Sequence, residues 1–366
     1  MREGSKGRSA GNAFPRVQVG RTPLNKTANI IGHYNGGGLS RDIDVLRTEL
    51  VQLGWSVVVN AKPKRLNSAS SVGRLLGGVQ IKLAKMAVEV GISKPTFDLN
   101  LHFEEIDAEC IRFAKRNILI PNQEWFQQWQ CRYLSQMDEV WVKTRVAERA
   151  FSKFGCKVRF MGWASVDRRV ATLRGPKTLT ALHIAGRSRV KGTEAILDVW
   201  GENPQWPVLR VLRSMHAYDG QPISWRSRPS APNIQIISER VDERTLGRLQ
   251  NESSIHLCPS EVEGFGHIIQ ESTSVGAVVI VTDAPPMNEM ITPATGILVA
   301  AERSEPMRLG RRYFVDRADL ARQINAVLGM TDEQRESLGR AARLEFEQSN
   351  AAFRVNLKHY LESIYG

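Results

Sequence analysis

TANIIGHYNGGGLSRDIDVLRTELVQLGWSVVVN, residues 27–60, reads as strand, glycine loop, helix and strand. Ile43, Leu46, Leu50 and Leu53 recur at helical spacing. Gly54 marks the end of the helix, and the WSVVV that follows is a short buried strand. A strand–helix–strand unit implies a parallel sheet covered on both faces.

The same alternation continues on both sides of a break. FDLNLHF (97–103), RNILIP (116–121), DEVWVKT (138–144) and KVRFMGW (157–163) are predicted strands, and RVAERAFSKFG (145–155) is a helix with a glycine stop. TLRGPKTL (172–179) reads as a linker. A second series follows: strands at LTALHIAG (179–186), VLRVLRS (208–214), NIQIIS (233–238), SIHLCPS (254–260) and AVVIVTD (277–283), with helices between them and from Asp319 onward. The Pro/Gly/Ser-rich insert at 217–233 is predicted to be a loop. The expected organisation is a basic tail (1–27), a first Rossmann-like domain (28–172), a second (173–345) and a C-terminal helix (346–366) that crosses back to the first domain. Two such sheets hold a ligand at the carboxyl ends of their strands, in the cleft between them.

Composition narrows the function. The chain has 366 residues, 42% of them hydrophobic, enough for two real cores. No apolar run approaches the roughly 18 residues of a membrane span, and the N-terminus has no apolar h-region of a signal peptide. Cys110, Cys131, Cys156 and Cys258 are scattered, against a zinc site or a disulfide framework and in keeping with a reducing cytoplasm. Net charge is +12, and Arg2, Lys6, Arg8, Arg16, Arg21 and Lys26 crowd into the tail against Glu3. That tail suits solubility, an anionic membrane face or nucleic acid, and composition does not separate these.

EGFGHIIQE, Glu263 to Glu271, holds the chemistry. It spans a strand-to-helix junction. Gly264 and Gly266 allow close ligand approach, and the unpaired N–H groups at the helix start form an anion site. A carboxylate matches the paired hydroxyls of a ribose or a hexose. One ligand would meet both glutamates: sugar hydroxyls at Glu263, a diphosphate near the turn, a ribose at Glu271. Two glutamates at this spacing alone would read as an ordinary surface pair.

EGFGHIIQESTSVGAVVIVTDAPPMNEMI resembles the donor-site signature of retaining glycosyltransferases with the two-Rossmann-domain (GT-B) fold, in the large family 4 grouping. HIAGRSRVKGTEAIL (183–197) is similar to the same family's Gly-Arg and Lys-Gly segment. The resemblance implies that Arg187 and Lys191 grip a donor diphosphate, two cations meeting a leaving-group charge without a metal. The gap between them is one residue shorter than the family's, which leaves Arg189 able to share or take over the arginine role. It further implies a hexose at Glu263, Gly264, Phe265, Gly266 and His267, a ribose at Glu271, and Gly37 and Gly38 under the donor phosphate. His102 is carried over as a catalytic candidate close to the donor sugar. His33, Glu104 and Glu105 are the acceptor-side candidates. The loop Gly36–Gly38 lacks GxGxxG spacing, and the second strand ends in Asn60, so an NAD site is not expected.

No metal and no cofactor is expected beyond the nucleotide-diphosphate sugar donor. Trp125 and Trp129 fit core packing better than a sugar platform. The implied function is transfer of a hexose to a cell-envelope saccharide or a lipid-linked acceptor, by a cytoplasmic protein in peripheral contact with an anionic membrane face. The basic amphipathic stretch 70–94, with Arg74, Lys82, Lys85 and Lys94, would make that contact. The alternatives are transfer to hydroxylated DNA bases and a non-catalytic nucleotide-binding protein of the same fold.

Overall fold

The computed structural model describes residues 26–61, 94–172, 177–226 and 231–365, with positions 83, 86, 87 and 90–92. Residues 1–25 of the basic tail, Arg74, Lys82 and Lys85 of the basic stretch, and the centre of the 172–179 connection lie outside the described residues.

Two six-stranded parallel sheets organise the chain. In the first, β1 (Thr27–Gly32), β2 (Ser56–Ala61), β3 (Phe97–Phe103), β4 (Ala114–Ile120), β5 (Glu139–Val142) and β6 (Val158–Phe160) lie in the order β2-β1-β3-β4-β5-β6. Ile30 of β1 pairs with Val59 on one side and Leu101 on the other. The second sheet orders β7 (Thr178–Gly186), β8 (Leu209–Arg213), β9 (Ile234–Ile237), β10 (Ser253–Cys258), β11 (Val278–Thr282) and β12 (Ile297–Val299) as β12-β11-β10-β7-β8-β9. Strand order reverses between β1 and β3 in one sheet and between β7 and β10 in the other. Loops leave such a point in opposite directions, so a crevice opens at the strand carboxyl ends.

The helices cover these sheets as their apolar stripes require. α1 (Gly38–Gln52) buries Leu39, Ile43, Leu46 and Leu50 on the first sheet, and Gly54 follows it in the left-handed region at φ +82°. α2 (Arg145–Phe151) is capped by the Thr144 side chain. In the second domain come α3 (Thr193–Gly201), α4 (Glu243–Glu252), α5 (His267–Ser274), α6 (Met287–Met290) and α7 (Arg317–Leu328). α5 is buried along its whole length. Its three hydroxyl residues are satisfied locally: Ser272, Thr273 and Ser274 donate to the carbonyls of Ile268, Gln270 and Glu271.

α8 (Asp332–Tyr365) is one continuous helix of 34 residues, and residue 346 lies inside it. Near its start it touches the second domain. A Cβ on Gly339 would stand 2.2 Å from the Gly276 carbonyl oxygen. Its later turns place Phe353, Leu357, Tyr360 and Leu361 in the first-domain core with Leu99, Trp141 and Trp163. Where α8 passes the segment leaving β6, Asn350 donates to the Ser165 carbonyl and accepts from its N–H.

Residues 301–315 carry no clear strand or helix period in the sequence. They form an antiparallel hairpin, β13 (Ala301–Met307) and β14 (Gly310–Val315). Mostly charged and outward-facing residues hide the period-2 apolar signal there. Its tip leans on the first domain, with Leu309 N–H donating to the Gln123 carbonyl at 3.2 Å. Among the described residues no helix is long and apolar enough to cross a membrane.

Candidate functional site

The two motifs singled out in the sequence meet because β7 and β10 are neighbours in the sheet (Ile255 pairs with Ala181). Their carboxyl-end loops therefore lie side by side. Gly192, at φ +70° before α3, would bring a Cβ within 2.2 Å of the Pro259 carbonyl oxygen. Only glycine allows that approach. It sets Lys191 against the loop after β10, where its ammonium ion-pairs with Glu263. The Ser260 hydroxyl donates to the same Glu263 oxygen at 2.6 Å. Arg187 is exposed and makes no hydrogen bond or ion pair to a described residue. Arg189, also exposed, donates to the Pro222 carbonyl at 2.8 Å.

The turn after Glu263 reaches across to the first domain. Phe265 packs into the first-domain core cluster, so its side chain is a plug between the domains. Gly266 takes φ +90° immediately before α5. His267 is held from both ring nitrogens, by the Ser165 hydroxyl at 2.9 Å and Asp42 at 3.0 Å. Asp42 also ion-pairs with Lys143, both buried. Burial pushes the Asp42 carboxyl up, but Lys143 and His267 outweigh it and hold it below the ordinary aspartate range.

Glu271 is fully buried, one turn further along α5. Arg41 of α1 lies 3.1 Å from one carboxylate oxygen; Arg168 at 3.4 Å and the Gln250 amide at 3.2 Å face the other. The glycine loop of the first domain closes over this region. A Cβ on Gly37 would fall 2.3 Å from the Tyr218 hydroxyl, and one on Gly38 would be 3.8 Å from the His267 ring.

The carried-over histidine lies at the carboxyl end of β3. His102 is fully buried at the end of β3, where Asp107 N–H donates to Nδ1 and Nε2 faces Asn117 Oδ1, both at 3.2 Å. Its ring is engaged within the first domain. Glu104 takes φ +62°, a strained conformation for a non-glycine residue, and accepts from the Asn122 amide at 3.0 Å. Glu105, the next residue, and His33, in the loop after β1, are half-buried. Trp125 is exposed beneath the Arg308 guanidinium, and Trp129 packs on the ring of Tyr133.

Sequence reasoning missed Asp42, Lys143, Asn122, Gln123 and Glu124. Asn122–Glu124 follow a predicted strand end, Lys143 lies in one and Asp42 on α1, and Asp42, Lys143 and Gln123 find partners more than 100 residues away. The loop Asn122–Glu124 meets the loop at Glu263. Gln123 Nε2 donates to the Glu263 carbonyl at 3.1 Å, and Lys143 donates to Asn122 at 2.9 Å. Gly264 is glycine for a steric reason: its Cβ would stand 2.4 Å from Asn122 Oδ1. Gly264→Ala is expected to lower stability by about 1–3 kcal/mol, the usual cost of overpacking a fixed interface. A urea unfolding midpoint equal to wild type would show that this contact gives way freely.

Residues 231–345 match the family model described as glycosyl transferases group 1. No curated protein matches the chain. Among solved structures, sucrose-phosphate synthase from Thermosynechococcus elongatus superposes with TM-score 0.64 at 15% identity, over 93% of this chain and 99% of that one. Anabaena HepE in complex with UDP-glucose gives 0.59 at 15% identity, over 92% and 98%. WaaG, a glycosyltransferase involved in lipopolysaccharide biosynthesis, gives 0.57 at 14% identity, over 91% and 98%. The chain has their two-domain GT-B fold.

Proposed function

On the GT-B fold, and on a second domain whose residues 231–345 match glycosyl transferases group 1, we propose that this chain transfers a hexose from a nucleotide-diphosphate sugar with retention of configuration. The observation that carries the reading is the meeting of Lys191 and Glu263 at the adjacent ends of β7 and β10. A cation for the leaving diphosphate and a carboxylate for the hexose hydroxyls stand side by side, ahead of a helix N-terminus. Arg187, exposed at the same strand end, joins Lys191 on the diphosphate, with Arg189 as its substitute. The Gly37–Gly38 loop closes over the phosphates. These cations neutralise the departing charge without a metal.

Glu271 takes the ribose in this reading. Nucleotide entry exchanges part of the Arg41 and Arg168 pairing for ribose hydroxyls. Glu271→Ala is expected to cost about 1.5–3 kcal/mol of nucleotide affinity, the range for hydrogen bonds to a charged group. Calorimetry with a nucleoside diphosphate checks this, and unchanged affinity would take Glu271 out of the site.

The acceptor we propose is a cell-envelope saccharide or lipid-linked sugar at the cytoplasmic face of a membrane. The role of WaaG in lipopolysaccharide biosynthesis and the basic stretch 70–94 support that choice. The deciding experiment screens nucleotide sugars for turnover with chelator present, then offers membrane extracts and DNA with hydroxylated bases to the active donor. Labelled lipid or saccharide is expected. Label on DNA alone would replace the acceptor, a strict metal requirement would replace the mechanism, and nucleotide binding without any turnover would make the protein a binding module.

A further inference from the structure

Opposite Glu263, the loop after β4 carries two buried oxygens with no hydrogen-bond partner, Gln123 Oε1 and Glu124 Oε2. Both side chains are 2% exposed. A buried acceptor left open is costly, and a ligand hydroxyl can complete it. The remainder of the loop is already engaged: Asn122 bridges Lys143 and Glu104, and Gln123 Nε2 holds the Glu263 carbonyl. The other lip of the cleft is only a backbone away, since a Cβ on Gly264 would stand 2.8 Å from Glu124 Oε1.

From this geometry we infer that Glu124 and Gln123 hold hydroxyls of the transferred hexose from the first-domain side, facing Glu263, and select a neutral sugar over a uronic acid. The inference rests on the donor reading above. Three carboxyl groups converge here: Glu104, Glu124 and Glu263. The cation that acts on Glu124, Lys143, is committed to Asp42, and Lys191 and Arg187 go to the diphosphate in the donor reading. A sugar carboxylate would meet repulsion, whereas a neutral ring offers both donors and acceptors. Burial above all, helped by the neighbouring Glu104 and Glu263 charges, pushes the Glu124 carboxyl up to about 8, against a backbone hydrogen bond and a weaker pull from Lys143. At neutral pH it is protonated and donates to one hydroxyl while accepting from another. Above pH 8 it adds a second negative charge beside Glu263 and loses its proton.

The test uses the full chain and calorimetry with UDP, ADP and GDP against UDP-glucose, ADP-glucose, GDP-mannose and UDP-glucuronate. Wild type is expected to bind a neutral sugar nucleotide more tightly than its nucleoside diphosphate, to gain nothing from glucuronate, and to lose the gain above pH 8. Glu124→Ala should remove about tenfold of that gain, the effect of one hydrogen bond, with diphosphate affinity intact. Glu124→Gln, which keeps a donor and cannot titrate, should retain part of the gain with no fall above pH 8. The assignment is overturned if Glu124→Ala keeps the full gain, if diphosphate affinity falls in parallel, or if only transfer to a methyl glucoside acceptor suffers. A wild type that binds none of these nucleotides overturns the donor reading itself, a different pattern from any of those.

Discussion

Lys191→Ala is expected to lower turnover by about 10²–10³, the usual effect of removing one group that stabilises developing charge. The ammonium sits in an ion pair with Glu263, which holds it at the strand end through which a diphosphate would leave. Negative charge on that diphosphate grows as the glycosidic bond breaks, so kcat should fall and not only KM rise. In the proposed donor site its removal would also leave the Glu263 carboxylate with only the Ser260 hydroxyl among the described residues, and so weaken the hold on the hexose. Steady-state kinetics on Lys191→Ala, Arg187→Ala and Arg189→Ala separate the roles. Full turnover in Lys191→Ala with loss in Arg189→Ala would move the diphosphate grip to the exposed arginine.

Asp42→Asn is expected to destabilise the protein by about 3–5 kcal/mol, because it leaves the Lys143 ammonium, 1% exposed, buried without its counter-charge. Asparagine keeps the volume, so the loss reports charge and not a cavity. The pH dependence has a definite sign. The folded carboxyl titrates below the ordinary aspartate value, so its contribution is complete above that value, about 3.9, and is lost as pH falls through the lower folded value. Urea unfolding at neutral pH and along an acid series measures both effects. An unchanged midpoint in Asp42→Asn would show that water reaches Lys143.

The sequence was most legible where interactions are local. The βαβ unit at 27–60, the strand ends and the glycine turn at 263–266 follow from periodicity and from glycine geometry, and they appear as expected. The pairing of β7 with β10 required topology, yet both motifs on those strands could be read separately. What escaped reading depends on distant partners. Asp42 and Lys143 are 101 residues apart, and Gln123 and the Glu263 carbonyl 140 apart. In sequence, each is a polar residue beside an apolar run. Phe265 shows a different limit. Its place between two glycines suggests a ligand-facing turn, and only the opposing domain explains its burial.

Ser165 and Asn350, joined by two backbone–side-chain hydrogen bonds, couple the chain leaving the first domain to the helix returning to it. With its two crossings fastened together, a pair of rigid bodies keeps little translational freedom. Opening then approximates rotation about one axis near Asn350, as in hinge closure elsewhere. Groups near that axis, such as His267 and Ser165, move least. In such a rotation the hairpin tip at Arg308, which touches Trp125 on the other body, would have to part from it. Substrate entry would therefore begin by parting that tip, with the buried charges close to the pivot staying dry until late in the swing.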